Sequence, residues 1–233
     1  MDSRTGIHIV LYPERKMFPD SWYEPDISGK AKALSAGEIA RTKAVLDIAM
    51  KKYPAHVLSE NLEKIYLLSE LEFYGVKYAG TYSDKTLYIA NSGLDEGYTN
   101  RFIEQSFHHE FSSILYWKYL HYFNKELWTS LNPDADTIYF DDLGGAGAMI
   151  TGTDNDEFDP KYHEIGFLYQ YATSSFENDV NSFAENLFKA KPGFWDAVDK
   201  YDKIRQKTEI IIEFYNKLDT VFTEKYFRKI SLL

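Results

Sequence analysis

Phe107-His108-His109-Glu110-Phe111-Ser112-Ser113-Ile114-Leu115 decides how the rest of this chain is read. A helix carrying H-E-x-x-H sets two imidazoles four residues apart on one face. Both then reach a single metal ion while the glutamate activates water. His109 and Glu110 fill the first two of those positions, and Ser113 stands where the second histidine belongs. A hydroxyl is a far poorer zinc ligand than imidazole, thiolate or carboxylate. The stretch therefore predicts a helix of hydrolase type with a ligand missing. His108 does not replace it, because neighbouring helical residues point about 100° apart.

Working outward, residues 98–122 are expected to form one long helix, with His109, Ser113 and Tyr116 along one face. Ser112 and Ser113 are small and polar among aromatics, so either something packs closely there or a pocket opens. Before this helix come two strand-like runs, 64–73 and 78–90, the second with a hairpin turn within Thr81-Tyr82-Ser83-Asp84-Lys85-Thr86. Strands so placed are expected to form a small sheet over the helix and to line a cleft. Upstream, Ser35-Ala36-Gly37-Glu38 leads into an amphipathic helix carrying Ile39, Val45, Leu46, Ala49 and Met50. Residues 13–37 read as loop, broken by Pro13, Pro19, Pro25 and Gly29.

Downstream, residues 132–160 read as coil. Gly144-Gly145-Ala146-Gly147 lacks the Lys-Ser/Thr ending of a phosphate loop. Asp141, Asp142, Asp154, Asp156 and Asp159 do not have EF-hand spacing and are expected to be solvated. A second helix is expected over 176–189 and a mostly helical region over 194–230. The economical reading is one α+β domain over 1–233, helix-rich, with an extended segment over 1–36 and a helical region over 193–233.

Composition narrows the function. The chain has 233 residues and a formal net charge of −10, and no basic stripe is visible, which argues against nucleic acid as a partner. It has no cysteine, so disulfides and thiolate metal sites are excluded. No apolar run approaches the ~18 residues of a membrane span. Nineteen Tyr, sixteen Phe and four Trp are expected to fill an aromatic core, the other reading being a surface that binds a peptide or glycan.

Gly166-Phe167-Leu168-Tyr169-Gln170-Tyr171-Ala172 followed by Glu177-Asn178-Asp179-Val180-Asn181-Ser182-Phe183-Ala184-Glu185 adds a second signature. With the first stretch, it resembles gluzincin-type zinc metallopeptidases, and more closely a family of zinc-binding metallopeptidase lipoproteins linked to outer-membrane glycan-uptake systems. The family's hallmark is His-His-Glu-Phe-Ala-His-Ile-Leu, then Gly-Phe…Tyr-Ala, then Glu-Asp-Phe-Ala-Glu. The resemblance runs over residues 38–190 in the order of elements and is specific over the two short segments.

The resemblance implies a zincin-like fold, His109 as first zinc ligand, Glu110 as general base and Tyr171 beside the metal. It implies that Ser113 replaces the second ligand. The third, a glutamate in the family, falls on Asn181 in one register and Asn178 in another. Zinc is thus expected to bind weakly or not at all, unless Asp179 or Glu185 has rebuilt the site. It further implies an exported protein of the cell envelope, periplasmic or lipid-anchored in its full-length form, that is a degenerate metallopeptidase or a non-catalytic binder of peptide or glycan. The polar start before Ile7-His8-Ile9-Val10-Leu11 is in keeping with removal of an export signal.

Overall fold

Ten residues rich in Ile, Leu, Tyr and Phe make β3 (Lys64–Phe73) the spine of a six-stranded sheet. The computed structural model describes residue 2, residues 4–133, residue 139 and residues 144–233. The pair Asp141-Asp142 lies outside the described residues. Two strands run parallel to the first half of β3, namely β1 (His8–Val10) and β6 (Thr86–Ala90). Its second half takes β2 (Lys30–Ala33) and β4 (Val76–Lys77), both antiparallel. β5 (Gly80–Ser83) pairs antiparallel with β6, and the order β1-β3-β6-β5 leaves β5 at an edge.

The hairpin turn is narrower than the sequence suggested. Strand pairing runs to Ser83↔Thr86, and Asp84 takes a φ of 49° at the bend. Residues 13–37 also hold more than loop, since Lys30–Ala33 pairs with β3 and Asp20–Tyr23 winds as a 3-10 turn. Single proline and glycine breakers hid a strand that exists by pairing with a distant one.

One irregularity sets the faces of the sheet. Lys32 pairs with Glu70 and Ala33 with Leu68, so Ser69 is an extra residue on β3. A bulge of this kind shifts the inside–outside alternation by one. Tyr66 and Leu68 before it, and Leu71 and Phe73 after it, consequently join one buried cluster with Met17, Phe18 and Tyr88. Within it Tyr66 stacks on Tyr88 at 5.3 Å, and Phe18 meets both Phe73 and Tyr88 at 5.2 Å. The displaced Glu70 and Glu72 form ion pairs with Lys32 and Lys30 instead.

The chain divides into two compact units, Met1–Leu115 and Tyr116–Leu233. The first holds the whole sheet, α1 (Ile39–Lys51), α2 (Ala55–Ser59) and most of α3 (Asn100–Lys118). α3 begins where the Thr99 hydroxyl accepts the Phe102 N–H. It stops at Lys118 rather than running to 122, because Tyr119 leaves helical geometry and Leu120–Tyr122 tighten into a 3-10 turn.

The second unit is helical among its described residues: α4 (Lys125–Ser130), α5 (Gly145–Thr151), α6 (Pro160–Ile165), α7 (Phe176–Phe188), α8 (Phe194–Lys200), α9 (Asp202–Leu218) and α10 (Glu224–Ile230). The stretch 132–160, expected as coil, thus contains a helix in α5. Seven residues are too short for a periodicity to be read. α7 starts at Ser175, whose hydroxyl accepts the Asn178 N–H, and it is buried from Asn178 through Phe188. Aromatics fill the core around it: Trp128 against Phe183 at 5.1 Å, and Phe188 against Tyr215 at 5.2 Å and Phe227 at 5.1 Å. Among the described residues nineteen aromatic side chains are buried, while Tyr12, Tyr23, Tyr74 and Trp117 are exposed.

Candidate functional site

From Ile103 to Tyr116 every residue of α3 is buried except His109 and Glu110, which are partly exposed. Buried ionisable residues such as Glu104 and His108 need partners inside the fold, whereas His109 and Glu110 reach the surface. What Glu110 faces is set by β5. A Cβ on Gly80 would stand 2.8 Å from Glu110 Cγ and 3.1 Å from its Oε1, so the glutamate side chain lies directly against the edge strand. Gly80 pairs with Ile89, while Thr81 pairs with Tyr88, which puts these two neighbours on opposite faces of the sheet. Tyr78, two residues before Gly80, is electrostatically coupled to Glu110. Burial pushes its hydroxyl well above the ordinary tyrosine value, and Tyr74 and the Glu110 carboxylate add to the shift.

His108 turns into the core. Its Nδ1 lies 3.0 Å from the Tyr53 hydroxyl, and its Nε2 lies 3.7 Å from Glu104 Oε1. Lys52 pairs with the same carboxylate at 2.6 Å, and both side chains are buried. Burial raises the Glu104 pKa, but His108 and Lys52 together outweigh it and hold the group at about 2. Ser112 and Ser113 are fully buried, so the close-packing alternative holds for both.

In the second unit, Tyr171 and Asn178 come together. A Cβ on Gly145 would clash with the Tyr171 hydroxyl and stand 3.3 Å from Asn178 Nδ2. Asn178 Nδ2 also donates to Ser174 Oγ at 2.8 Å. The Gly-rich run is therefore a close-approach device that lets the start of α5 lie on these two side chains. Asn181 is buried three residues further along α7.

Asp179 and Glu185 each have partners within the second unit. Asp179 Oδ2 accepts from Lys207 Nζ at 2.6 Å, Trp128 Nε1 at 2.7 Å and the Tyr139 hydroxyl at 2.9 Å. Burial pushes the Asp179 pKa up and that of Lys207 down, each opposed by the other's charge. The Lys207 ammonium also sits over the Phe167 and Trp128 rings, at 4.3 and 4.8 Å. Glu185 Oε1 accepts from the Tyr169 hydroxyl at 2.6 Å. Among the described residues no three His, Cys, Asp or Glu side chains form a group that could hold a metal ion.

Sequence reading missed Gly80, Tyr78, Trp128 and Lys207. A single glycine at a strand start and a lysine in an amphipathic helix carry no local signal, because their roles arise from residues tens of positions away.

No family model matches the chain, and no curated protein matches it. Its structure is similar to the crystal structure of a protein from Bacteroides caccae ATCC 43185 described as a "putative zinc-binding metallo-peptidase". The two share 15% identity over 98% of this chain and 87% of that one, with a TM-score of 0.52. At that identity the likeness establishes a shared fold alone, an α+β arrangement.

Proposed function

We propose that this metallopeptidase-fold chain holds extended peptides along β5 and that its metal site is degenerate. The observation that carries this reading is the pairing of Glu110 with the bare backbone of Gly80, beside an edge strand, on a helix that offers one imidazole at His109 and a hydroxyl at Ser113. An edge strand binds an extended chain through main-chain hydrogen bonds, and this needs no metal. The donors do not fit zinc. Ser113 replaces an imidazole, Asp179 is spent on Lys207, Trp128 and Tyr139, and Glu185 accepts from Tyr169. Outer-shell losses alone cost about 10–100-fold in metal affinity, and here ligands themselves are replaced.

Placement in the cell envelope, as an exported and lipid-anchored protein, belongs to the same proposal and rests on the two motif segments. Fractionation of cells expressing the complete gene tests that part, and recovery in the cytoplasm would exclude it.

The central test is metal analysis of protein purified without chelator, together with peptide binding and peptide hydrolysis assays. We expect well under one equivalent of zinc, retained binding and no zinc-dependent turnover. One equivalent of zinc with hydrolysis would make the chain a working peptidase and overturn the reading.

A further inference from the structure

On the face of the sheet opposite Gly80, a recess of about 170 Å³ is lined by Trp22, Ile27, Phe73, Tyr74, Tyr78 and Thr81. Phe73 forms its floor. Trp22 and Tyr78 each stand edge-on to that ring at 5.2 Å, with interplanar angles of 79° and 88°. Gly29 holds the segment that carries Trp22 and Ile27 down on this floor, since a Cβ there would lie 2.8 Å from the Phe73 ring. Binding sites for drug-sized ligands run to about 300–1,000 Å³, so this recess takes a single ring-sized group. None of the lining side chains is charged, which disfavours an ionic occupant.

Two further observations favour occupation. Tyr74 adopts a φ of 55°, a conformation uncommon for a bulky residue, and remains 39% exposed at the β3–β4 turn. Asn or Gly is the ordinary choice there, and strain of this kind gathers at ligand-binding positions. Thr81, in the recess wall, is also the neighbour of Gly80 on the edge strand. Side chains of an extended chain alternate between the two faces of a sheet. A peptide paired on β5 would therefore direct one residue toward the Glu110 side and the next toward the recess. A sugar ring fits less well, because the three hydroxyls of Tyr74, Tyr78 and Thr81 leave most of its own hydroxyls without partners.

We propose that this recess receives one aromatic side chain of an extended peptide paired on β5. The proposal rests on the peptide-holding reading above. Capped pentapeptides Val-Thr-Xaa-Thr-Val, with Xaa as Phe, Ala or Glu, and methyl glucoside are titrated against the whole chain by tryptophan fluorescence and calorimetry. The Phe peptide should bind about 10-fold more tightly than the Ala peptide, and the Glu peptide no better than Ala. Tyr74→Asn should bring the Phe-to-Ala ratio down to about 3-fold or less. Asn accepts a positive φ more readily than Tyr, and an unchanged urea midpoint in the variant shows that the loss is not unfolding. Equal binding of Phe and Ala peptides would overturn the recess assignment and leave peptide holding intact. Absence of binding by every peptide would overturn both, and preference for methyl glucoside over the Phe peptide would replace the aromatic side chain with a sugar.

Discussion

Lys207 and Asp179 lie at 0% exposure for both side chains, and the carboxylate takes its three donors on a single oxygen. Removing one member of such a pair leaves an uncompensated buried charge. Lys207→Met alone should therefore cost about 3–5 kcal/mol in equilibrium urea unfolding. Adding Asp179→Asn should recover most of that loss, and a single variant as stable as the parent would show that the pair is not closed. Glu104 makes a different argument. Its folded-state pKa of about 2 lies below its ordinary 4.5, so its stabilisation is complete above the higher value and is lost as pH falls toward the lower. The loss should be on the order of 3 kcal/mol between those limits, and Glu104→Gln should flatten the acid limb of the stability–pH curve there. An unchanged acid limb in the variant would refute the assignment.

Among elements, α3 and β5 are joined by the absence of a side chain. Gly80→Ala puts a methyl group against the flexible Glu110 stem, which can swing aside, so the fold should lose about 1 kcal/mol while peptide affinity falls more. Chemical denaturation and peptide titration on one sample separate the two effects, and unaltered affinity would mean that Glu110 is not part of the binding edge. Gly145→Ala is harsher, because its methyl group meets the Tyr171 hydroxyl beside a buried asparagine. A loss of about 1–3 kcal/mol is expected, partly restored by Tyr171→Phe.

For the whole molecule, zinc provides a global readout. A ligand present at about 100 times its Kd stabilises a fold by about 2.7 kcal/mol, and a chain of this size gains about 2–4 °C in Tm per kcal/mol. Added zinc should shift the Tm of the parent by less than about 1 °C. Ser113→His gives α3 two imidazoles at helical spacing and should restore a measurable shift that a chelator reverses. A large shift in the parent would instead reveal a site rebuilt from other donors. The net charge of −10 also predicts no salt-dependent binding to DNA at this scale.

The sequence by itself determined the elements whose cause is local. The apolar run of β3, a hairpin within residues 81–86, the helix through His109 and Glu110 and a helix from residue 176 were all legible, because periodicity and turn residues act within a few positions. It also singled out Ser113 as the position where, on our proposal, a metal ligand is replaced. Tertiary structure alone decided what those residues face. One unpaired residue, Ser69, moved Leu71 and Phe73 onto the face of Tyr66 and made the floor of the recess. Asp179 and Asn178 are adjacent letters, yet one turns to Lys207 and the other to Ser174 and the start of α5. Such outcomes depend on pairing and packing between residues far apart in the chain, and no local pattern records them.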